Sequence, residues 1–165
     1  MYRKIEDFLS DWKHESDSTL KVFAKLQDGM LNHKVHEKVR TAGFLSWHIT
    51  HTLKEMMERT GLSVDLKAQN DYNGETAKEI YESYKAASES LVRELAKWND
   101  DSLQTEDEMY GEKWKRGVTL HILVTHQAHH RGQLEVIMRI CGLSVPGVYG
   151  PSQEEWTQYG MPVMN

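Results

Sequence analysis

Residues 125–134 read T-H-Q-A-H-H-R-G-Q-L, inside a longer run from Trp114 to Cys141 that is stopped by Gly142. The run has the length and residue choice of a long helix, and on a helix His126 and His130 fall on one face, about 40° apart around the axis. Leu123, Gln133, Leu134 and Ile137 lie on the same side at helical periodicity. The two histidines are therefore expected to face inward, where a polar pair must find partners. Two imidazoles four residues apart can converge on one metal ion. Zinc proteases use that spacing with a glutamate directly after the first histidine, but here Gln127 stands in that place, so the general base of that mechanism is missing. His129 points about 100° away from His130, towards a flank, as a bystander or a second-sphere group.

Working outward, the chain holds three more helical runs. The first covers Tyr2 to Gln27, with Ile5, Phe8, Leu9, Trp12, Leu20, Phe23, Ala24 and Leu26 at mostly three- and four-residue steps. Ser16-Asp17-Ser18 weakens its middle, Asp28-Gly29 reads as its stop, and residues 31–36 read as a connecting turn. The second covers Glu37 to Arg59, with Val39, Phe44, Leu45, His48, Thr52 and Glu55 or Met56 as its core face and Gly61 as its terminator. Residues 62–74 read as a loop. The third covers Glu75 to Trp98 on the stripe Ile80, Tyr81, Tyr84, Ala87, Leu91, Leu95 and Trp98. Residues 102–111 read as an acidic, irregular turn, with Glu106-Asp107-Glu108 as a solvated loop. After Gly142 a glycine-rich tail follows, with one short helix near Ser152 to Gln158 marked by the capping-box pair Ser152 and Glu155. Four long helices and a short tail make an all-α, antiparallel four-helix bundle in a single domain spanning residues 1–165, and metal sites in such bundles are built from inward side chains of facing helices.

His48 sits in the middle of the second helix among apolar neighbours. A lone histidine in that setting is more often a hydrogen-bonded core residue, and two histidines four apart also arise by chance. Three inward histidines, His48, His126 and His130, on two helices of one bundle make a divalent metal ion the better reading. Three neutral imidazoles leave coordination positions open, the arrangement of catalytic rather than structural sites. All-nitrogen ligation favours Zn or Ni, with Fe, Mn or Cu as further candidates.

The bulk numbers frame this reading. The 165 residues suffice for one core, and the formal net charge of -5 argues against nucleic acid as a partner. Nine histidines, four of them between His121 and His130, are the clearest departure from average composition. Cys141 is the only cysteine, which excludes an internal disulfide and a thiolate cage and fits a cytoplasmic protein. No stretch has the roughly 20 apolar residues of a membrane span, and residues 1–15 lack the apolar segment of a signal peptide. Cys141 reads as an apolar filler with no base beside it. Trp47, Trp114, Tyr149 and Trp156 could line a pocket mouth, although aromatics in such places more often pack in the core or at helix ends. Arg131 could bind an anion or face solvent or a partner chain.

With His48 mid-helix and H-x-x-x-H followed by Arg131-Gly132-Gln133, the chain resembles the DinB/YfiT-like superfamily of metal-dependent enzymes along essentially its whole length. The resemblance implies an up-down-down-up four-helix bundle, often a homodimer, with a metal site at one end of a pocket. It carries the ligand role onto His48, His126 and His130, and it gives Gly132 a place where helices pack closely. Members include S-transferases that use the low-molecular-weight thiols bacillithiol or mycothiol, a maleylpyruvate isomerase, and proteins of the stress response to DNA damage. The expected activity is therefore attack by a thiol or water on a small electrophile, as in a transferase or hydrolase. The alternative is a non-catalytic stress-response protein whose metal fastens helices.

Overall fold

A computed structural model describes residues 1–66 and 72–162. Its long helices are α1 (Ile5–Phe23), α3 (Ala42–Glu58), α4 (Ala77–Leu95) and α5 (Arg116–Ile140), with a single-turn α2 (Asp28–Leu31). Two 3₁₀ segments, Asp100–Gln104 and Gln153–Tyr159, and a hairpin of β1 (Glu106–Met109) with β2 (Glu112–Lys115) complete the described elements.

The helix contacts fix the topology. Tyr2 N–H donates to the Gly117 carbonyl at 3.1 Å, and Arg131 near the other end of α5 reaches Glu15 and Thr19, so α1 and α5 run parallel. Trp12 Nε1 donates to Ser88 Oγ at 3.0 Å, and the Ile5 amide donates to Asp100, which makes α4 antiparallel to α1. Gln127 Nε2 donates to the Ile49 carbonyl at 2.9 Å while His48 meets His130, so α3 runs against α5. The order is up-down-down-up. A Cβ on Gly117 would collide with the Tyr2 carbonyl, and only glycine allows the chain to cross α5 this closely.

The core runs the length of the bundle, with Phe8, Trp12, Phe23, Leu45, Trp47, Leu53, Tyr84 and Leu123 at most 2% exposed. Burying each large apolar side chain stabilises by roughly 1.5–3 kcal/mol. Among the described residues no helix is long and apolar enough to cross a membrane.

Several local expectations change. The Ser16-Asp17-Ser18 stretch stays helical because Ser16 and Ser18 are buried and Ser16 Oγ donates back to the Lys13 carbonyl. Asp28-Gly29 opens α2 instead of ending structure. α3 starts at Ala42 rather than Glu37, because Thr41 Oγ1 accepts from the Phe44 amide at 3.2 Å and caps the helix there. Val39 and Phe44 are consequently 38% and 37% exposed and do not belong to the core. α4 begins at a full capping box, with Thr76 and Glu79 each accepting from the other's amide. The loop over residues 62–74 is irregular up to Leu66, and residues 67–71 lie outside the described residues.

The acidic turn is in fact a hairpin. Tyr110 (φ 54) and Gly111 (φ 88) supply the two positive φ angles of a tight two-residue turn. Glu106 pairs across from Lys115 and Glu108 from Lys113, so opposite charges face each other on the ladder. Asp107 lies between them and holds Arg116 at 2.8 and 3.2 Å. Trp114 thus belongs to β2, and the last helix starts two residues later than expected. Gly132 shows no close packing, since a Cβ there would meet nothing within 4 Å.

Candidate metal centre

α5 presents His126 and His130 on consecutive turns, and α3 presents His48 opposite them. His130 Nε2 lies 3.2 Å from His48 Nε2 and 3.1 Å from His126 Nε2. The ring centroids are 4.5 Å apart for His48 and His130, 4.4 Å for His126 and His130 and 5.1 Å for His48 and His126. One ligand nitrogen from each ring falls within 4.8 Å of the other two, and among the described residues no other such group forms. Two nitrogens bound to one ion at roughly 2.0–2.1 Å stand about 2.9–3.4 Å apart, and the distances from His130 to His48 and to His126 are compatible with a shared ion.

The donor chemistry agrees. A neutral imidazole has one donor and one acceptor nitrogen. His130 Nδ1 lies 2.9 Å from Gln133 Oε1, an atom that can only accept, which places the proton on Nδ1 and leaves the Nε2 lone pair pointing into the cluster. Burial, then the charges of the neighbouring histidines and Arg40, pushes His48 down to about 4. Burial, then His130 and His129, does the same to His126, also to about 4. His130 is lowered chiefly by burial. All three are neutral near pH 7, the form that ligates. Three convergent lone pairs can be satisfied together by a cation, and the group could hold a divalent metal ion.

The surroundings fix these rings. Gln127 is fully buried, and its amide ties α5 to the Ile49 carbonyl one residue beyond His48. The glutamine that removed the protease base is a helix-to-helix tie. Gln133 Nε2 also lies 3.1 Å from His129 Nε2, so His129 enters as an exposed outer partner of the cluster. Glu55, one α3 turn beyond His51, is the carboxylate whose charge acts on His126. Tyr110 Oη holds it at 2.8 Å and Arg59 at 3.1 and 3.2 Å. On the other side of His130 a groove of about 500 Å³ opens between α5 and the segment before α3, with Gln133 at its edge.

Other readings separate. His51 and His121 lie outside the cluster. Trp47 is 2% exposed and belongs to the core, not to a pocket mouth. Cys141 caps α5 and packs against the core, half-buried. Arg131 does not face solvent: it is 2% exposed and bonded to Glu15 (2.5 Å), Thr19 (3.0 Å) and Tyr149 Oη (3.0 Å). Tyr149 is accordingly a tail anchor. The sequence reading missed the part played by Gln133, although its place three residues after His130 is the signal. Arg40 carries no such signal, because it precedes the helix.

Comparison with known proteins agrees with this architecture. The DinB family matches residues 1–161. An uncharacterized protein of Bacillus subtilis (strain 168), YrdA, is 35% identical over 162 residues, covering 98% of this chain and 97% of its own. A solved DinB-like protein from Bacillus cereus ATCC 10987 superposes with a TM-score of 0.85 at 34% identity, covering 90% of this chain and all of that one. The DinB-like protein YjoA from Bacillus subtilis shares the fold alone, with a TM-score of 0.69 at 17% identity over 88% of this chain and 99% of that one. A helical bundle with three convergent histidines defines the class, and the chain belongs to the DinB family.

Proposed function

We propose that this protein is a metal-dependent enzyme in which His48, His126 and His130 hold a divalent ion, Zn or Ni by preference, and bring a thiol or water to a small electrophile. The observation that carries the reading is the convergence of three neutral imidazole nitrogens, 3.1 and 3.2 Å apart, next to an open groove. An ion bound there would lower the pKa of a thiol or water and polarise an electrophile. The chain's own residues do the rest. Gln133 keeps the proton of His130 on Nδ1, Gln127 fixes the distance between α3 and α5, and the aliphatic groove wall offers the electrophile an apolar seat beside the cluster. A low-molecular-weight thiol is the cosubstrate that fits this chemistry.

The test is turnover of a model electrophile with bacillithiol or glutathione, using wild type and His126→Ala, with elemental analysis of both. The expected result is one bound metal per chain and thiol-dependent turnover in wild type, both lost in the variant. Equal turnover in the two proteins overturns the reading. A second reading, a metal that only clasps helices, is favoured by the ligands coming from both α3 and α5. It predicts a large fall in Tm on chelation with no turnover in either protein.

A further inference from the structure

The groove beside His130 has a chemical character of its own. Its walls are aliphatic, formed by Val35, Val39 and Leu45 on one side and Val136, Ile137 and Ile140 on the other. Val136 and Ile140 are 56% and 62% exposed, an unusual amount of open aliphatic surface beside a polar cluster. The charged groups on the lining are Lys38 and Arg40, both cations, and no carboxylate lines it. Neither cation takes part in an ion pair among the described residues. Arg40 is instead carried on a ladder of rings: its guanidinium lies 4.9 Å over Phe44, and Phe44 stacks on His48 at 6.2 Å. Phe44 lies between Arg40 and His48. It is the spacer that sets a positive charge above the histidine cluster. A volume of about 500 Å³ is that of a small-molecule site, not of a protein interface.

We infer that the groove takes a small amphipathic monoanion, an aliphatic or aryl body carrying one carboxylate or similar group, with the body along the aliphatic walls and the anion on Arg40 and Lys38. This rests on, and deepens, the proposed function, because it names the class of substrate delivered to His130. The cations select against neutral molecules of the same shape, and the aliphatic walls select against small polar anions.

Decanoate and 1-decanol serve as matched probes, titrated calorimetrically into wild type, Arg40→Gln/Lys38→Gln, Val136→Glu and His126→Ala. Wild type and His126→Ala are expected to bind decanoate about fivefold more tightly than decanol, the upper end of what a partly exposed ion pair supplies. The Arg40→Gln/Lys38→Gln protein, whose changes are on the surface, should bring that ratio close to one while still binding decanol. Val136→Glu should lose both. Equal affinity for the two probes in wild type overturns the inference. So does decanoate binding that survives in Arg40→Gln/Lys38→Gln but vanishes in His126→Ala, since the carboxylate would then sit on the metal. No binding at all, with a homodimer by sedimentation that Val136→Glu converts to single chains, overturns it in favour of a second copy covering the groove. Metal content of the same samples keeps the two readings apart: metal unchanged in His126→Ala removes the metal assignment and leaves the groove result standing.

Discussion

His130 and Arg131 are neighbours on α5, yet they serve opposite seams of the bundle. Arg131 turns to α1, where Glu15, Thr19 and Tyr149 give its guanidinium a carboxylate, a hydroxyl and a phenol. His130 turns to α3, where its Nε2 meets His48 as well as His126 of its own helix, with no carboxylate among the described residues bonded to it. Both clusters bury polar atoms in a helical bundle. One is complete in itself, a cation and an anion with their hydrogen bonds made. The other gathers three like groups whose lone pairs compete for the same point. A polar cluster closed by its own ion pair is complete as structure, whereas three imidazoles converging without a charged partner form a group that could hold a divalent ion.

The comparison breaks most readily at its metal side. His126→Ala should reduce bound metal from about one ion per chain to background, read by elemental analysis, while Arg131→Ala leaves metal content unchanged. Metal lost equally in both would mean that the seams are one unit. The next largest effect belongs to the other seam. Arg131→Ala strands the Glu15 carboxylate at 2% exposure and should lower stability by about 3–5 kcal/mol in urea denaturation. Glu15→Leu with Arg131→Met should recover most of that loss, because it removes both charges together.

Gln133→Ala sharpens the contrast from within the metal side. It removes the acceptor that fixes the His130 proton and should weaken metal affinity about 10–100-fold, measured by competition with a chelator. Folding stability of the metal-free protein should hardly move, since Gln133 is exposed. Tyr149→Phe should cost about 1 kcal/mol in urea denaturation through the lost hydroxyl contacts to Arg131 and Glu15, with metal binding intact.

The smallest effect is that of acid on the metal-free protein. His48 and His126 sit at about 4 in the fold against 6.5 in the open chain. Between those values the unfolded chain binds more protons, so stability is full above about pH 6.5 and declines as pH falls towards 4. Half-exposure of the rings to solvent screening keeps the effect modest. The Tm of metal-free wild type should fall further between pH 7 and 5 than that of His48→Asn/His126→Asn. Parallel curves for the two proteins would show that burial does not hold the two rings below their open-chain value.

Much of this was legible in the chain. The three- and four-residue steps of Phe8, Trp12, Leu91 and Leu134 announce helices because a 3.6-residue turn puts them on one face, and His126 with His130 is legible for the same reason. The hairpin was not, because its strands carry Met109 and Trp114 as their only large apolar residues and rely on Glu–Lys pairing across the ladder. Alternating charge gives a strand no core-facing stripe, and the signal left was a glycine in an acidic stretch.

Periodicity along one helix is local, so the sequence by itself determined four long helices, the inward pair on α5 and the family to which the chain belongs. Which helix faces which is a matter of packing across the bundle, and that only the tertiary structure decided. It brought His48 to within 3.2 Å of His130, turned Arg131 inward to Glu15, and set Arg40 above the cluster on the ring of Phe44. Contacts between residues 82 and 116 positions apart depend on how whole faces interlock, and no short stretch of sequence contains that information.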